Sequence, residues 1–201
     1  MDTTPKIRVI LFDLGGVLLR LRDPIETFGL AISHSEFKQR WLESPSVRRF
    51  ESGEIDTEQF ARSIVKEARL PYDAREFIER FDSWPLDLYP ETLSILDAIP
   101  RPYERALLSN INALHWQREE IEGSIARQLD RTFLSYETGH IKPDRAAFEQ
   151  VWACYECGPE NILFFDDSPA NVEAAADFGL QGVLAVGTDD VRAELEARSI
   201  L

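Results

Sequence analysis

The sequence predicts an α/β fold: a Rossmann-like parallel sheet with helices on both faces, plus a small helical cap inserted after the first strand. Three observations point there. Short apolar, β-branched-rich runs recur at Ile7–Phe12, Ala106–Ser109, Thr132–Ser135, Ile162–Phe165 and Gly182–Val186, the pattern of strands buried on both faces of a parallel sheet. Helical stripes separate the later runs, and such alternation places helices on both sheet faces. Residues 20–88 break the rhythm with helical patterns and no convincing strand. The expected division is a sheet domain of residues 1–19 and 89–201 and a cap of residues 20–88.

The first run ends at Asp13, followed by the Gly15-Gly16 pair, as expected where a buried strand turns sharply. Its apolar stretch after Lys6 and Arg8 mimics a signal peptide, but Asp13 in the middle and Arg20-Leu21-Arg22-Asp23 behind it spoil that reading. In the cap, Asp56 is placed to cap a helix bearing Phe60, Ala61, Ile64, Val65 and Ala68 on one face. Pro143 is placed to open a helix whose stripe is Ala147, Phe148, Val151, Trp152 and Tyr155. Ser168-Pro169 starts another, with Val172, Ala175 and Ala176 as its stripe and Gly179 as its stop.

The chain has 201 residues, 44% of them hydrophobic, enough for one domain with an insertion. Lys plus Arg number 22 against 36 Asp plus Glu, a formal charge of −14. That argues against nucleic acid, which needs a basic footprint, and against an anionic membrane surface. A small anionic ligand remains allowed, because a local site can be positive on a negative protein. Two cysteines, Cys154 and Cys157, make no disulfide framework, so a cytoplasmic location is expected. They end a helical stretch rather than starting one, and no second ligand pair accompanies them, which argues against redox or zinc chemistry.

In an open parallel sheet, ligands bind beyond the C-terminal strand ends, near the switch in strand order. The polar residues at those ends are Asp13, Ser109 with Asn110, and Asp166 with Asp167; Lys142 sits just before the helix preceding the fourth run. If they converge, three crowded carboxylates repel, and Mg²⁺ relieves this while retaining waters that a phosphate can replace. Lys142 then meets a phosphate oxygen as a point charge, an attraction of roughly 4 kcal/mol at an effective dielectric near 20. The Ser109 hydroxyl and the N–H groups of the loop after Asp13 can hold the remaining oxygens. One carboxylate is left to attack phosphorus and form an aspartyl-phosphate.

Phe12-Asp13-Leu14-Gly15-Gly16-Val17, Leu108-Ser109-Asn110, Ile141-Lys142-Pro143 and Phe164-Phe165-Asp166-Asp167-Ser168 resemble the four ordered motifs of the haloacid dehalogenase-like hydrolases. The resemblance spans almost the whole chain, with residues 20–88 in the position of that superfamily's C1 cap. Each motif alone is weak, but four in order at separations of 96, 33 and 24 residues are specific. Leu108-Ser109-Asn110 followed by His115, with Glu51-Ser52-Gly53-Glu54-Ile55 in the cap, look most like the bacterial α-D-glucose-1-phosphate phosphatase group. The resemblance implies Asp13 as nucleophile and metal ligand, Asp167 as a direct Mg²⁺ ligand, Asp166 acting through a water, and the Gly15 carbonyl as a further ligand. It implies phosphoryl contacts from Ser109 and Asn110, with Lys142 steadying both Asp13 and the substrate. The expected function is a Mg²⁺-dependent phosphatase acting on a small phosphorylated metabolite, such as a sugar phosphate.

One departure stands out. Most phosphatases of this superfamily carry a second Asp two residues after the nucleophile as general acid and base, and here that position is Gly15. Such assistance is typically worth about 10²–10⁴-fold. His115, Glu137 and His140 are the near-motif candidates to replace it. In the cap, Trp41, Phe50, Glu51 and Trp84 either line the substrate pocket or pack the helices, packing being the default for each. Two competing functions remain: a 2-haloacid dehalogenase, in which Asp13 attacks carbon without a metal, and a catalytically weak phosphate-ligand binder of regulatory role, which Gly15 keeps open. The paired Asp166-Asp167 speaks against the dehalogenase, since it would repel an anionic haloacid.

Overall fold

The structure, a computed structural model, describes residues 6–118 and 121–201. Its strands are β1 (Val9–Phe12), β2 (Leu19–Leu21), β3 (Pro85–Leu88), β4 (Glu104–Ser109), β5 (Arg131–Leu134), β6 (Ile162–Asp166) and β7 (Gln181–Leu184). Five of them form one parallel sheet in the order β5-β4-β1-β6-β7. β1 is central and the order reverses around it, so the crevice at its C-terminal end is where a ligand is expected.

Five helices, α1 (Pro24–Phe28), α2 (His34–Glu43), α3 (Pro45–Glu51), α4 (Thr57–Ala68) and α5 (Ala74–Asp82), lie between β2 and β3. They surround an apolar cluster of their own that includes Phe28, Phe50, Phe60, Phe77 and Phe81. Phe50 and Phe60 stack with centroids 4.3 Å apart. The expected capping of α4 is present as a full box: Asp56 accepts from the Gln59 backbone and Gln59 reaches back.

The remaining helices are α6 (Thr92–Ala98), α7 (Ala113–Trp116), α8 (Glu122–Ile125), α9 (Ser135–Thr138), α10 (Arg145–Trp152), α11 (Pro169–Phe178) and α12 (Gly187–Ala197). Successive side chains of β1 point to opposite faces. Ile10 and Phe12 join a cluster with Ile95 and Leu96 of α6 and Val191 and Leu195 of α12. Val9 and Leu11 join one with Phe148 and Val151 of α10 and Ala175 of α11. The sheet is therefore covered on both faces, as the apolar runs imply, except at the edge strand β7, where Leu184 is exposed.

Three details differ from the sequence reading. Residues 20–88 do include strand: β2 and β3 pair as an antiparallel ribbon, too short to show period-2 patterning. Pro143 does not open α10; Asp144 occupies the cap position, because Ile141 accepts the Asp144 N–H in a turn. The buried side of α11 holds Asn171 and Ala175 while Ala176 is exposed, so the helix turns a polar group inward. No helix among the described residues is long and apolar enough to cross a membrane.

Candidate active site

Asp13 follows β1, Ser109 ends β4 and Asp166 ends β6, so sheet register brings all three to one edge. Phe12 pairs with Phe165, and the Asp13 N–H donates to the Phe165 carbonyl at 2.8 Å. One carboxylate oxygen each from Asp13, Asp166 and Asp167 lie within 4.8 Å of one another. The close approach of Asp167 requires Gly16. Its φ is +79°, and a Cβ there would lie 2.7 Å from Asp167 Oδ2.

Lys142 is fully enclosed, its Nζ 2.8 Å from Asp13 Oδ1 and 2.6 Å from Asp166 Oδ2. At an effective dielectric near 20 each contact is worth about 6 kcal/mol gross, against a desolvation cost of several kcal/mol per buried ion. Burial alone would favour the neutral amine, but Asp13 and Asp166 prevail and hold Lys142 charged, its pKa above the ordinary value. One ammonium does not balance three carboxylates. Burial, opposed by Lys142 and reinforced by Asp166 and Asp167, raises Asp13 to about 7. Burial and Asp166 likewise raise Asp167, with Lys38 and Lys142 pulling the other way.

The donor set suits a hard divalent cation: oxygen ligands, surplus negative charge and open space beside them. Asp166 already accepts from Lys142, from the Ser168 N–H at 2.8 Å and from Asn171 Nδ2 at 2.9 Å, which leaves Asp13 and Asp167 the freer carboxylates. Ser168 Oγ, buried in the wall of the same cavity, has no hydrogen-bond partner among the described residues. A hydrated cation bound there would offer the partner that hydroxyl lacks.

Asn110 uses its carboxamide on the backbone of Lys142: Oδ1 accepts from the Lys142 N–H at 2.8 Å and Nδ2 donates to the Lys142 carbonyl at 2.9 Å. That fixes the lysine, and leaves any phosphoryl contact by Asn110 to its backbone. Ser109 and Gly15 line the cavity with Asp13, Lys142 and Asp167. The cavity is about 390 Å³, and Phe37, Trp41, Glu51, Phe81 and Trp84 of the helical segment between β2 and β3 share in its lining.

The near-motif candidates for a general acid do not occupy this place usefully. Glu137 and His140 are exposed and lie outside the cavity lining. His115 is at its wall but buried, with Nε2 2.9 Å from the Phe81 carbonyl and Nδ1 3.3 Å from Asn112 Nδ2. It reads as a neutral ring donating through Nε2 and accepting at Nδ1, and burial lowers its pKa to about 4. Two polar groups of the cavity differ in how far the sequence shows them. Asn171, an i−4 neighbour of Ala175 in the first turn after Asp167, was legible only as helix. Glu51, assigned to packing by default, lines the cavity, while Phe50 beside it packs the cap core.

The fold, the three strand-end sites and Lys142 define a hydrolase of the haloacid dehalogenase type. The chain belongs to the haloacid dehalogenase-like hydrolase family, whose model matches residues 7–179. Among its relatives is the D-ribitol-5-phosphate phosphatase of Bacteroides thetaiotaomicron, 24% identical across 94% of this chain and 97% of its own length. Flavin mononucleotide hydrolase 1 of Arabidopsis thaliana is 26% identical across 94% of this chain and 77% of its own. A haloacid dehalogenase family enzyme of B. thetaiotaomicron, solved with magnesium and inorganic phosphate, superposes with a TM-score of 0.69 at 25% identity over 89% of this chain and 93% of its own.

Proposed function

We propose that the protein is a Mg²⁺-dependent phosphatase that hydrolyses a small phosphomonoester of the sugar-phosphate kind through an aspartyl-phosphate on Asp13. The carrying observation is the buried Lys142 bridging Asp13 and Asp166, with Asp167 alongside, at the C-terminal end of the central strand. Asp13, Asp167 and the Gly15 carbonyl would hold the cation, with Asp166 behind a water because its oxygens are already committed to protein donors. When bound, Mg²⁺ supplies charge neutralisation for the incoming phosphate.

Asp13 attacks phosphorus, and its position is set by the Lys142 ammonium, which also faces the phosphoryl oxygens. Ser109 supplies a hydroxyl donor and Asn110 a backbone N–H to those oxygens. Residues 20–88 act as the cap, with Phe37, Trp41 and Trp84 offering flat apolar surface to the C–H face of a sugar. The cavity volume of about 390 Å³ is that of a small-metabolite site. The named relatives that cleave small phosphates support the same reading.

A panel of sugar phosphates, nucleotides and p-nitrophenyl phosphate, with Mg²⁺ or EDTA, tests it. Phosphate release is expected only with Mg²⁺ and is lost in Asp13→Asn. Full activity in that variant, or halide release from a haloacid under EDTA, would refute the proposal.

A further inference from the structure

Gly15 leaves the leaving-group oxygen without the usual acid beside the nucleophile, and a carboxyl from the cap stands in the same cavity. Resting on the phosphatase reading above, we infer that Glu51 is the general acid and base of this enzyme, delivered from the cap rather than from the loop after β1.

The placement follows from contacts on both sides of Glu51. Three residues before it, Arg48 pairs with Asp144, two residues beyond Lys142. Two residues after it, Gly53, at φ +76°, lies against α9 so closely that a Cβ would come 2.2 Å from the Tyr136 carbonyl oxygen. α3 is thus tied to the sheet domain from its middle and from just past its C-terminal end, and Glu51, the last residue of α3, is held in the wall of the cavity that contains Asp13, Lys142 and Asp167. Trp41 Nε1 donates to Glu51 Oε1 at 3.4 Å and fixes the carboxyl from the cap side. Burial raises this carboxyl to about 7, with Trp41 and Lys142 opposing, so it carries a proton near neutral pH and releases it readily. The other acids considered fail on geometry: His115 has both ring nitrogens engaged, and Glu137 and His140 lie outside the cavity.

The two steps balance. In the first, an Asp13 oxygen bonds to phosphorus, the bond from phosphorus to the leaving oxygen breaks, and the Glu51 proton goes to that oxygen, releasing the alcohol. In the second, Glu51 carboxylate takes a proton from water as the water oxygen bonds to phosphorus and the Asp13–phosphorus link breaks. Phosphate leaves with Asp13 ionised and Glu51 protonated again.

The test compares the best sugar phosphate of the panel with p-nitrophenyl phosphate, whose leaving group needs no proton. Glu51→Gln is expected to lose about 10²-fold or more in kcat on the sugar phosphate. On p-nitrophenyl phosphate it should give a burst of one nitrophenolate per enzyme followed by slow turnover, because only the second step still needs Glu51. Adding Gly15→Asp to Glu51→Gln is expected to restore sugar-phosphate turnover at least about tenfold. Gly15 lacks a positive φ, and the nearest obstacle to a Cβ there is the flexible Leu21 Cδ1 at 3.3 Å, which need give way by only a few tenths of an ångström. An active wild type beside a Glu51→Gln within about threefold of it on the sugar phosphate, or an equal loss on both substrates in the first turnover, would overturn the assignment. If Glu51→Gln does not fold, Glu51→Asp decides the matter: the shortened acid should cost at least about tenfold on the sugar phosphate while leaving the first-turnover burst on p-nitrophenyl phosphate near the wild-type rate, and equal losses on both would overturn the assignment. A wild type that releases no phosphate under any condition would instead bring down the phosphatase reading, and this inference with it.

Discussion

Asp13→Asn should abolish activity and, without a metal, stabilise the protein. Asp13 is buried among more negative charge than Lys142 neutralises, and its carboxyl rises from 3.8 to about 7. Between those values the folded protein holds a proton the unfolded chain has released, so stability falls as pH rises from about 4 to about 7 and then levels off. Three pKa units at 1.36 kcal/mol each set a ceiling of about 4 kcal/mol. Asn keeps a carbonyl for the Lys142 Nζ bond but forfeits the ionic attraction, so a net gain of about 1–3 kcal/mol is expected at pH 8. Urea denaturation of both proteins in EDTA, at pH 5 and pH 8, measures it: the gap should be near zero at pH 5 and favour Asn at pH 8. Mg²⁺ should then stabilise the wild type more than the variant, by about 2.7 kcal/mol at a hundredfold excess over Kd. Asp13→Asn less stable than wild type at pH 8 in EDTA would refute the electrostatic reasoning.

Lys142→Met leaves Asp13 and Asp166 facing each other unpaired; it should cost about 3–5 kcal/mol by denaturation in EDTA and remove activity. His115→Gln can keep the donation to the Phe81 carbonyl, so phosphate release should stay within about threefold of wild type, as expected of a residue outside acid–base chemistry. The same variant should lose an acid-side instability: neutral buried His115, at about 4 against 6.5, gives stability fully present above pH 6.5 and lost as pH falls towards 4, up to about 3 kcal/mol. Gly53→Ala drives a Cβ into the Tyr136 carbonyl and strains a left-handed residue, so about 1–2 kcal/mol of stability and at least tenfold in kcat should go together as α3 lifts from the sheet domain.

The parts of the site carried by the sheet were legible in sequence because strand ends announce themselves. A buried apolar run can stop at Asp13 or Asp166 only where the chain leaves the core, and parallel pairing then puts those stops on one edge. Lys142 was legible as a motif, but not its burial, which depends on Asn110 gripping its backbone from both sides. Residues whose position is set by the other layer were legible only as alternatives: Trp41, Glu51 and Trp84, which line the cavity, could equally have packed the helices. Glu51 takes its place in the cavity wall through the Arg48–Asp144 pair and the Gly53–Tyr136 approach, which join segments about ninety residues apart in the chain and leave no local pattern. His115 failed in the opposite sense: its place near a motif promised chemistry, and packing against Phe81, with centroids 4.2 Å apart, consumed it. The β2–β3 ribbon was missed because strands of three and four residues carry too little alternation to register.

The claim on which the rest depends is that Asp13 itself receives the phosphoryl group. Acid-quenching the enzyme during turnover of p-nitrophenyl phosphate and locating added mass by peptide mass spectrometry tests it directly. With Mg²⁺, one phosphoryl group should appear on Asp13, increase in Glu51→Gln, and be absent in EDTA. Phosphate released at the wild-type rate with no phosphoryl-enzyme formed, or with the group on another residue, would contradict the account.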